Sequence, residues 1–400
     1  MNTIKKNHNY TIQVWFIYAL TMFLLLVILD VLFSKSLLYI NLKFDIHPYI
    51  KHPVYDHTYK ENKRIKLKEE AAGQEYNFTV YTNSLGFKDS NINEIALKSK
   101  KHRILFIGDS FTEGVYLNYE KTFVGIIDSA LSEKNIETLN AGIASYAPSV
   151  YWRKIKYLIE DLDLTFNEVF VYLDLTDAYD ENFHYETKED NTIGRKRYKD
   201  TRKFSSIEKI KIFFKKNTTV TYFILNIIQE LATPTDNKIF KIEDNKITDL
   251  NGKELDINNN KWAGILDKNS IYAKWAVDSV QYSIWGKNGN KKCLFYMEKL
   301  HSLLKKNNIK LSIAVFPWPD NIWYEDLNSI HVKLWSDWAE HNNIDFINHF
   351  PSIIKTKITD LEKIKLLEKY YILGDPHFNA NGNRLIATDF LDYFYRGHKF

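Results

Sequence analysis

Two stretches of this 400-residue chain hold the side chains of a nucleophilic reaction. Residues 103–114 read RILFIGDSFTEG, an apolar run that stops at Gly108-Asp109-Ser110. Residues 373–384 read LGDPHFNANGNR, with Asp375 two positions before His377. A serine hydroxyl is a weak nucleophile and needs a general base. A histidine held between a serine and a carboxylate supplies one: the imidazole takes the proton, and the acid fixes its tautomer and stabilises its charged form. Such a reaction also needs N–H donors for the oxyanion that forms at the attacked carbon. Ser110, just past a strand end and before a helix, is placed to offer one, because a helix amino terminus has unpaired N–H groups and positive dipole character.

These residues must be brought together by the elements between them. From residue 101 apolar strand-like runs alternate with helical patterns. RILFIG precedes a helix over 122–133, IETLNAG one over 149–162, and EVFVYLDL ends the first series. After a gap the pattern returns with a helix over 292–306, KLSIAVFPW, a helix over 328–342, IDFINHF and a closing helix over 381–395. This alternation predicts an α/β fold, a three-layer α/β/α sandwich on a mainly parallel sheet. In such sheets ligands bind beyond the carboxyl ends of the strands, where Ser110 lies.

The four blocks RILFIGDSFTEGV (103–115), LNAGIASYAPS (139–149), VFVYLDLTD (169–177) and GDPHFNANGNR (374–384) together resemble the SGNH, or GDSL-type, hydrolases. The resemblance covers residues 101–182 and 292–400. It implies a flavodoxin-like sandwich and serine acyl-ester chemistry. It makes Ser110 the nucleophile, His377 the base and Asp375 its acid, with the N–H groups of Ser110 and Gly142 as oxyanion donors. Gly142 suits that role because no side chain blocks an approaching oxygen. Two blocks depart from the family pattern. Thr176 stands where the family carries an asparagine whose amide is a further donor; a hydroxyl can donate but reaches less far. The acid lies two residues before the histidine where many members have three. Asp177 matches a structural aspartate of the family, and Asp174 and Asp180 read as solvated or loop-capping. Asp109 and Trp318 are candidate substrate contacts, the indole as a wall for a sugar ring, and Glu113 is a candidate for holding a loop.

The remaining sequence sets the context. Residues 12–29 read IQVWFIYALTMFLLLVIL without a charge, after Lys5 and Lys6. About 20 helical residues cross a bilayer, and the flanking lysines favour a cytoplasmic amino terminus. The expected organisation is a tail over 1–10, an uncleaved transmembrane anchor over 11–33, a preamble or linker with short strands over 34–100, and the catalytic domain over 101–400. The domain would carry a largely helical insertion at 183–291 and would face the periplasmic or extracytoplasmic side of a cell inner membrane. Within the insertion, residues 207–231 read as one or two amphipathic helices, packed on the domain or resting on the membrane. ITDLNGKELDI reads as a hairpin turning at Asn251-Gly252. A net charge of +4 with scattered Lys and Arg excludes a nucleic-acid binder. The single cysteine, Cys293, cannot form an intramolecular disulfide. No metal-ligand spacing or phosphate-binding glycine loop is present, so no cofactor or metal is expected.

The expected function is removal of O-acyl, above all O-acetyl, groups from an envelope or extracellular glycan. Two alternatives stand beside it: an O-acetyltransferase fed by a membrane acyl-transferring protein, and a glycan-binding or assembly protein that has lost activity.

Overall fold

A computed structural model describes residues 2–43, 48–196, 213–214, 217–224, 246–248, 254–256, 262, 266 and 270–397. The chain divides into two compact units, Met1–Pro48 with Tyr198–Glu243, and Tyr49–Arg197 with Asp244–Phe400. In the first unit helix α1, Asn2–Lys43, contains the apolar stretch Val14–Ser36. Those 23 residues extend for about 34 Å, long enough to cross a membrane. Their apolar side chains, among them Phe16, Leu24 and Phe33, lie open on the helix surface.

The second unit is built on a five-stranded parallel sheet. Its strands are β6 (His102–Ile107), β7 (Ile136–Asn140), β8 (Glu168–Leu173), β13 (Lys310–Val315) and β14 (Asp345–Asn348). They lie in the order β7-β6-β8-β13-β14, the flavodoxin-like order 2-1-3-4-5. Sheets of this kind are covered on both faces, so their strands read as continuous apolar runs. Every residue of β8, EVFVYL, is buried. Helix α3 (Phe123–Ser132) packs against the closing helix α8 (Ala380–Gly397), and α4 (Pro148–Glu160) packs against α5 (Lys287–Lys306). Helices α6 (Ile330–Asn342) and α7 (Asp360–Tyr370) complete the series. The last of these was not expected, although its capping box, Thr359 with Glu362, stands in the sequence.

Of the segment expected as a linker over 34–100, the first residues to Lys43 continue α1, and from Tyr49 onward the chain is part of this second unit. Strands β1 (Tyr49–His52) and β2 (Asp56–Tyr59) form one antiparallel pair. Strands β3 (Arg64–Ala71), β4 (Gln74–Thr82) and β5 (Lys88–Asp89) form a second small sheet. Tyr59, Phe78 and Val80 from these strands, and Phe87 just before β5, are buried in the same core as the parallel sheet. Alternation in NFTVYT gives β4 one buried face, and that face is what seats it.

The insertion also contributes to the core. Strands β9 (Tyr185–Thr187) and β10 (Ile193–Arg195) pair antiparallel. The buried Trp275 donates its indole N–H to Leu175 O at 2.9 Å. Strands β11 (Lys246–Thr248) and β12 (Glu254–Asp256) pair as the expected hairpin, whose turn lies outside the described residues.

Candidate active site

Strand β6 ends at Ile107, and Ser110 opens the one-turn helix α2, Ser110–Glu113. Asp109 caps that turn, its Oδ1 accepting the Phe111 N–H at 3.0 Å. A single turn has a small dipole, so the field expected at Ser110 reduces to its local N–H groups. In a 2-1-3-4-5 sheet the crevice opens where strands 1 and 3 diverge, and here these are β6 and β8. Ser110 follows the first of them, and Asp174 to Asp177 follow the second.

The loop between α7 and α8 brings His377 to that crevice. Asp375 Oδ1 accepts the His377 backbone N–H at 3.0 Å, and the Ile372 N–H reaches back to His377 O at 2.9 Å. Gly374 makes the turn possible: its φ is +79°, and a Cβ there would lie 2.3 Å from Ala72 Cβ. Asn379 then caps α8 through the N–H groups of Asn381 and Gly382.

These turns place His377 Nε2 2.7 Å from Ser110 Oγ, while Nδ1 hydrogen-bonds Asp375 Oδ1. With the Nδ1 proton given to Asp375, Nε2 is left to accept from the Ser110 hydroxyl. Tyr116 donates its hydroxyl to Asp375 Oδ2 at 3.1 Å. Burial pushes the Asp375 carboxyl up, but the charge and hydrogen bonds of His377, with that of Tyr116, outweigh it and hold it below the usual range. Phe111 packs its ring 4.8 Å from the imidazole, against Phe316, Phe378 and Trp318.

Gly142 follows β7 on a loop held from several sides. A Cβ there would lie 2.7 Å from Thr112 Cβ and Cγ2, so packing requires a glycine whatever its chemistry. Its N–H donates to Asn140 Oδ1 at 3.1 Å. Ala144 N–H donates to Glu113 Oε2 at 2.7 Å, and Ala144 O lies 2.9 Å from His57 Nε2. Glu113 therefore holds the Gly142 loop against the helix that carries Ser110. Tyr49 and Tyr59 donate to the same carboxylate from β1 and β2. No spacing in the sequence joins these two tyrosines to Glu113.

The third block forms a buried carboxylate cluster. Thr176 donates both its hydroxyl and its N–H to Asp174 Oδ2, the latter at 3.1 Å. The Thr176 hydroxyl is thus engaged by Asp174 where the family resemblance asks for a free amide. Trp318 is buried and donates its indole N–H to Asp174 Oδ1. It fills the floor under the site and offers no open face to a sugar, which corrects the expectation of a stacking wall. Asp109 is buried as well, and caps α2 instead of facing a substrate. Burial, with the charges of Asp174 and Asp177, pushes its carboxyl well up; its Oδ2 lies 3.4 Å from the Ser110 hydroxyl. Asp177 receives the Tyr151 hydroxyl at 2.8 Å. Asp174 and Asp180, expected as solvated or loop-capping, are both buried, and Asp174 caps its own loop through the Thr176 N–H. Among the described residues no group of three or more His, Cys, Asp or Glu side chains could hold a metal ion.

The fold and site together are those of an α/β protein with a serine, a histidine and an aspartate in one hydrogen-bonded array at the carboxyl end of a parallel sheet. No family model matches the chain, and no curated protein does either. Solved structures similar to it include the esterase EstA of Pseudoalteromonas, at 11% identity and TM-score 0.34, over 74% of this chain and 97% of that one. A GDSL-like lipase of Bacteroides thetaiotaomicron shares 12% identity at TM-score 0.36, over 76% and 93%. An acetyl-xylooligosaccharide esterase of Geobacillus shares 12% at 0.35, over 76% and 98%. None of them lends its activity to this chain.

Proposed function

We propose that this protein is a membrane-anchored serine hydrolase of acyl esters. The observation that carries the reading is the 2.7 Å contact of Ser110 Oγ with His377 Nε2, backed by Asp375 on Nδ1. Ser110 Oγ attacks an acyl carbonyl carbon as its proton passes to His377 Nε2. The N–H of Ser110 serves the oxyanion, with that of Gly142, which rests on Asn140 Oδ1 at 3.1 Å, as the second donor. The intermediate collapses, the alcohol leaves with the proton from His377, and an acyl-Ser110 ester remains. Water, activated by the same histidine, releases the acid. This mechanism assigns no step to a metal or organic cofactor.

The substrate class follows from context. The apolar stretch of α1 favours an anchor that puts the second unit outside the cytoplasm, at a cell inner membrane in a two-membrane envelope. The esters available there include O-acetyl groups on surface and secreted glycans. The test uses the full chain in detergent with p-nitrophenyl acetate, beside Ser110→Ala and His377→Ala. We expect acetate release, an acetyl group on Ser110 by mass spectrometry, and loss of both in either variant. No adduct on Ser110 with any ester would overturn the reading and favour a glycan-binding protein. Adduct that turns over only when a sugar acceptor is added would move it to acyl transfer.

A further inference from the structure

In the first unit a carboxylate lies within the apolar stretch of α1 and does not face outward. Asp30 accepts from three successive backbone N–H groups: Thr219 at 3.2 Å and Val220 at 3.1 Å through Oδ1, and Thr221 at 2.6 Å through Oδ2. Ser34, one turn further on, meets Thr219 Oγ1 at 2.8 Å. The chain is helical at Val220 and continues so to Ile224. Asp30 is therefore the cap of a second helical segment, supplied by α1 from 189 to 191 residues away. Outside the contact the segment is apolar: Val220, Phe223 and Ile224 are exposed, as is Phe213 before the break at Thr218.

We propose that the helical stretch over residues 220–224 enters the outer leaflet of the membrane beside α1, with Asp30 as its cap and lipid acyl chains around it. This rests on the reading of α1 as a membrane span. A helix amino terminus in hydrocarbon needs acceptors for its first N–H groups, since no water is there to serve. A carboxylate in a span likewise needs donors and marks a built contact. Each answers the need of the other. Depth agrees: Asp30 lies six residues before Ser36, about 9 Å along the helix from the end of the apolar stretch. With the amino terminus in the cytoplasm, that end is the outer one. The described helical stretch, residues 220–224, extends only about 7 Å, far too short to cross a bilayer and compatible with one leaflet.

The test places single labels on the full chain in vesicles of phosphatidylcholine and phosphatidylglycerol. Cys293, the chain's one cysteine, is first replaced in Cys293→Ser. A fluorophore at Phe223→Cys is read with doxyl-labelled lipids and with aqueous iodide; Leu25→Cys on α1 and Lys66→Cys on β3 serve as membrane and solvent references. The Phe223 label should be quenched by shallow doxyl lipid and shielded several-fold from iodide, as the Leu25 label is by deep doxyl lipid. Asp30→Ala should open the Phe223 label to iodide and leave the Leu25 label buried, and Asp30→Glu should restore the shielding. A Phe223 label open to iodide while Leu25 is buried overturns the proposal and leaves the span standing. Both labels open overturns the span and the proposal with it. A Phe223 label still shielded in Asp30→Ala overturns the role given to Asp30.

Discussion

The carboxylate that matters most to the chemistry is Asp375, and its second hydrogen bond is what the sequence does not disclose. Its relation to His377 is legible, because two residues of spacing on a turn bring an aspartate oxygen to a neighbouring imidazole. Tyr116 is remote in the chain, 259 residues from Asp375, and sits at a position with φ +65° that its residue type does not suggest. Its hydroxyl stabilises the charged form of Asp375, and a hydrogen bond to a charged group contributes about 1.5–3 kcal/mol. Tyr116→Phe should therefore lower kcat roughly 10-fold to 100-fold with KM nearly unchanged, since substrate binding does not use the bond. Steady-state kinetics on p-nitrophenyl acetate would show this. Asp375→Asn should be far more costly, on the order of 10³–10⁴ in kcat, because an amide holds the wrong tautomer of His377. Equal losses in the two variants would mean that Tyr116 shapes the loop and does not tune the acid.

Elements expose a different limit of sequence reading. The parallel strands were legible because burial on both faces leaves continuous apolar runs, and most of the helices between them show their period. Of the clamp on the Gly142 loop only Glu113 was legible; its partners His57, Tyr49 and Tyr59 reach it from two strands distant in sequence. Glu113→Ala should leave the Ala144 N–H and two tyrosine hydroxyls without their acceptor in the interior. Each such buried group costs about 1–3 kcal/mol, and the loop carrying an oxyanion donor loosens with them. We expect kcat to fall about 10²-fold or more while Ser110 is still slowly acylated. Glu113→Gln keeps one oxygen for Ala144 and should recover most of the loss. A second element makes a pH test. Asp320 lies on the short helix Pro319–Trp323 after β13, buried, with Oδ2 unpartnered. Burial pushes its carboxyl up to about 7. A raised acid stabilises the fold fully below its unfolded value near 3.9 and loses that contribution as pH rises through about 7. Asp320→Asn removes the titration. Its melting temperature, compared with that of the parent chain, should therefore gain from pH 4 to about pH 7 and level off above it, and a flat difference throughout would refute the assignment.

At the scale of the whole molecule the boundary between linker and domain is where sequence and structure part. Charged, strand-poor residues such as KENKRIKLKEE read as a connector, because their exposed face dominates the local composition. What the composition hides is a small set of buried anchors at wide spacing: Tyr59, Val80 and Phe87 each expose 1% or less of their surface. Lys88 is buried beside them, donating to Gly114 O and Leu117 O at 2.7 Å, so the segment also braces the chain just after α2. Full burial of one large apolar side chain contributes roughly 1.5–3 kcal/mol, and three of them approach the stability of a typical domain. A chain beginning at residue 101 would uncover their partners and remove both tyrosines from Glu113. We therefore expect residues 49–400, freed from α1, to melt cooperatively and to keep acyl-Ser110 formation. Residues 101–400 should aggregate or melt far lower, with acylation lost. Circular dichroism melting and mass spectrometry of the acetylated protein would separate the two. Equal melting and equal acylation would make residues 49–100 the simple connector that their composition suggests.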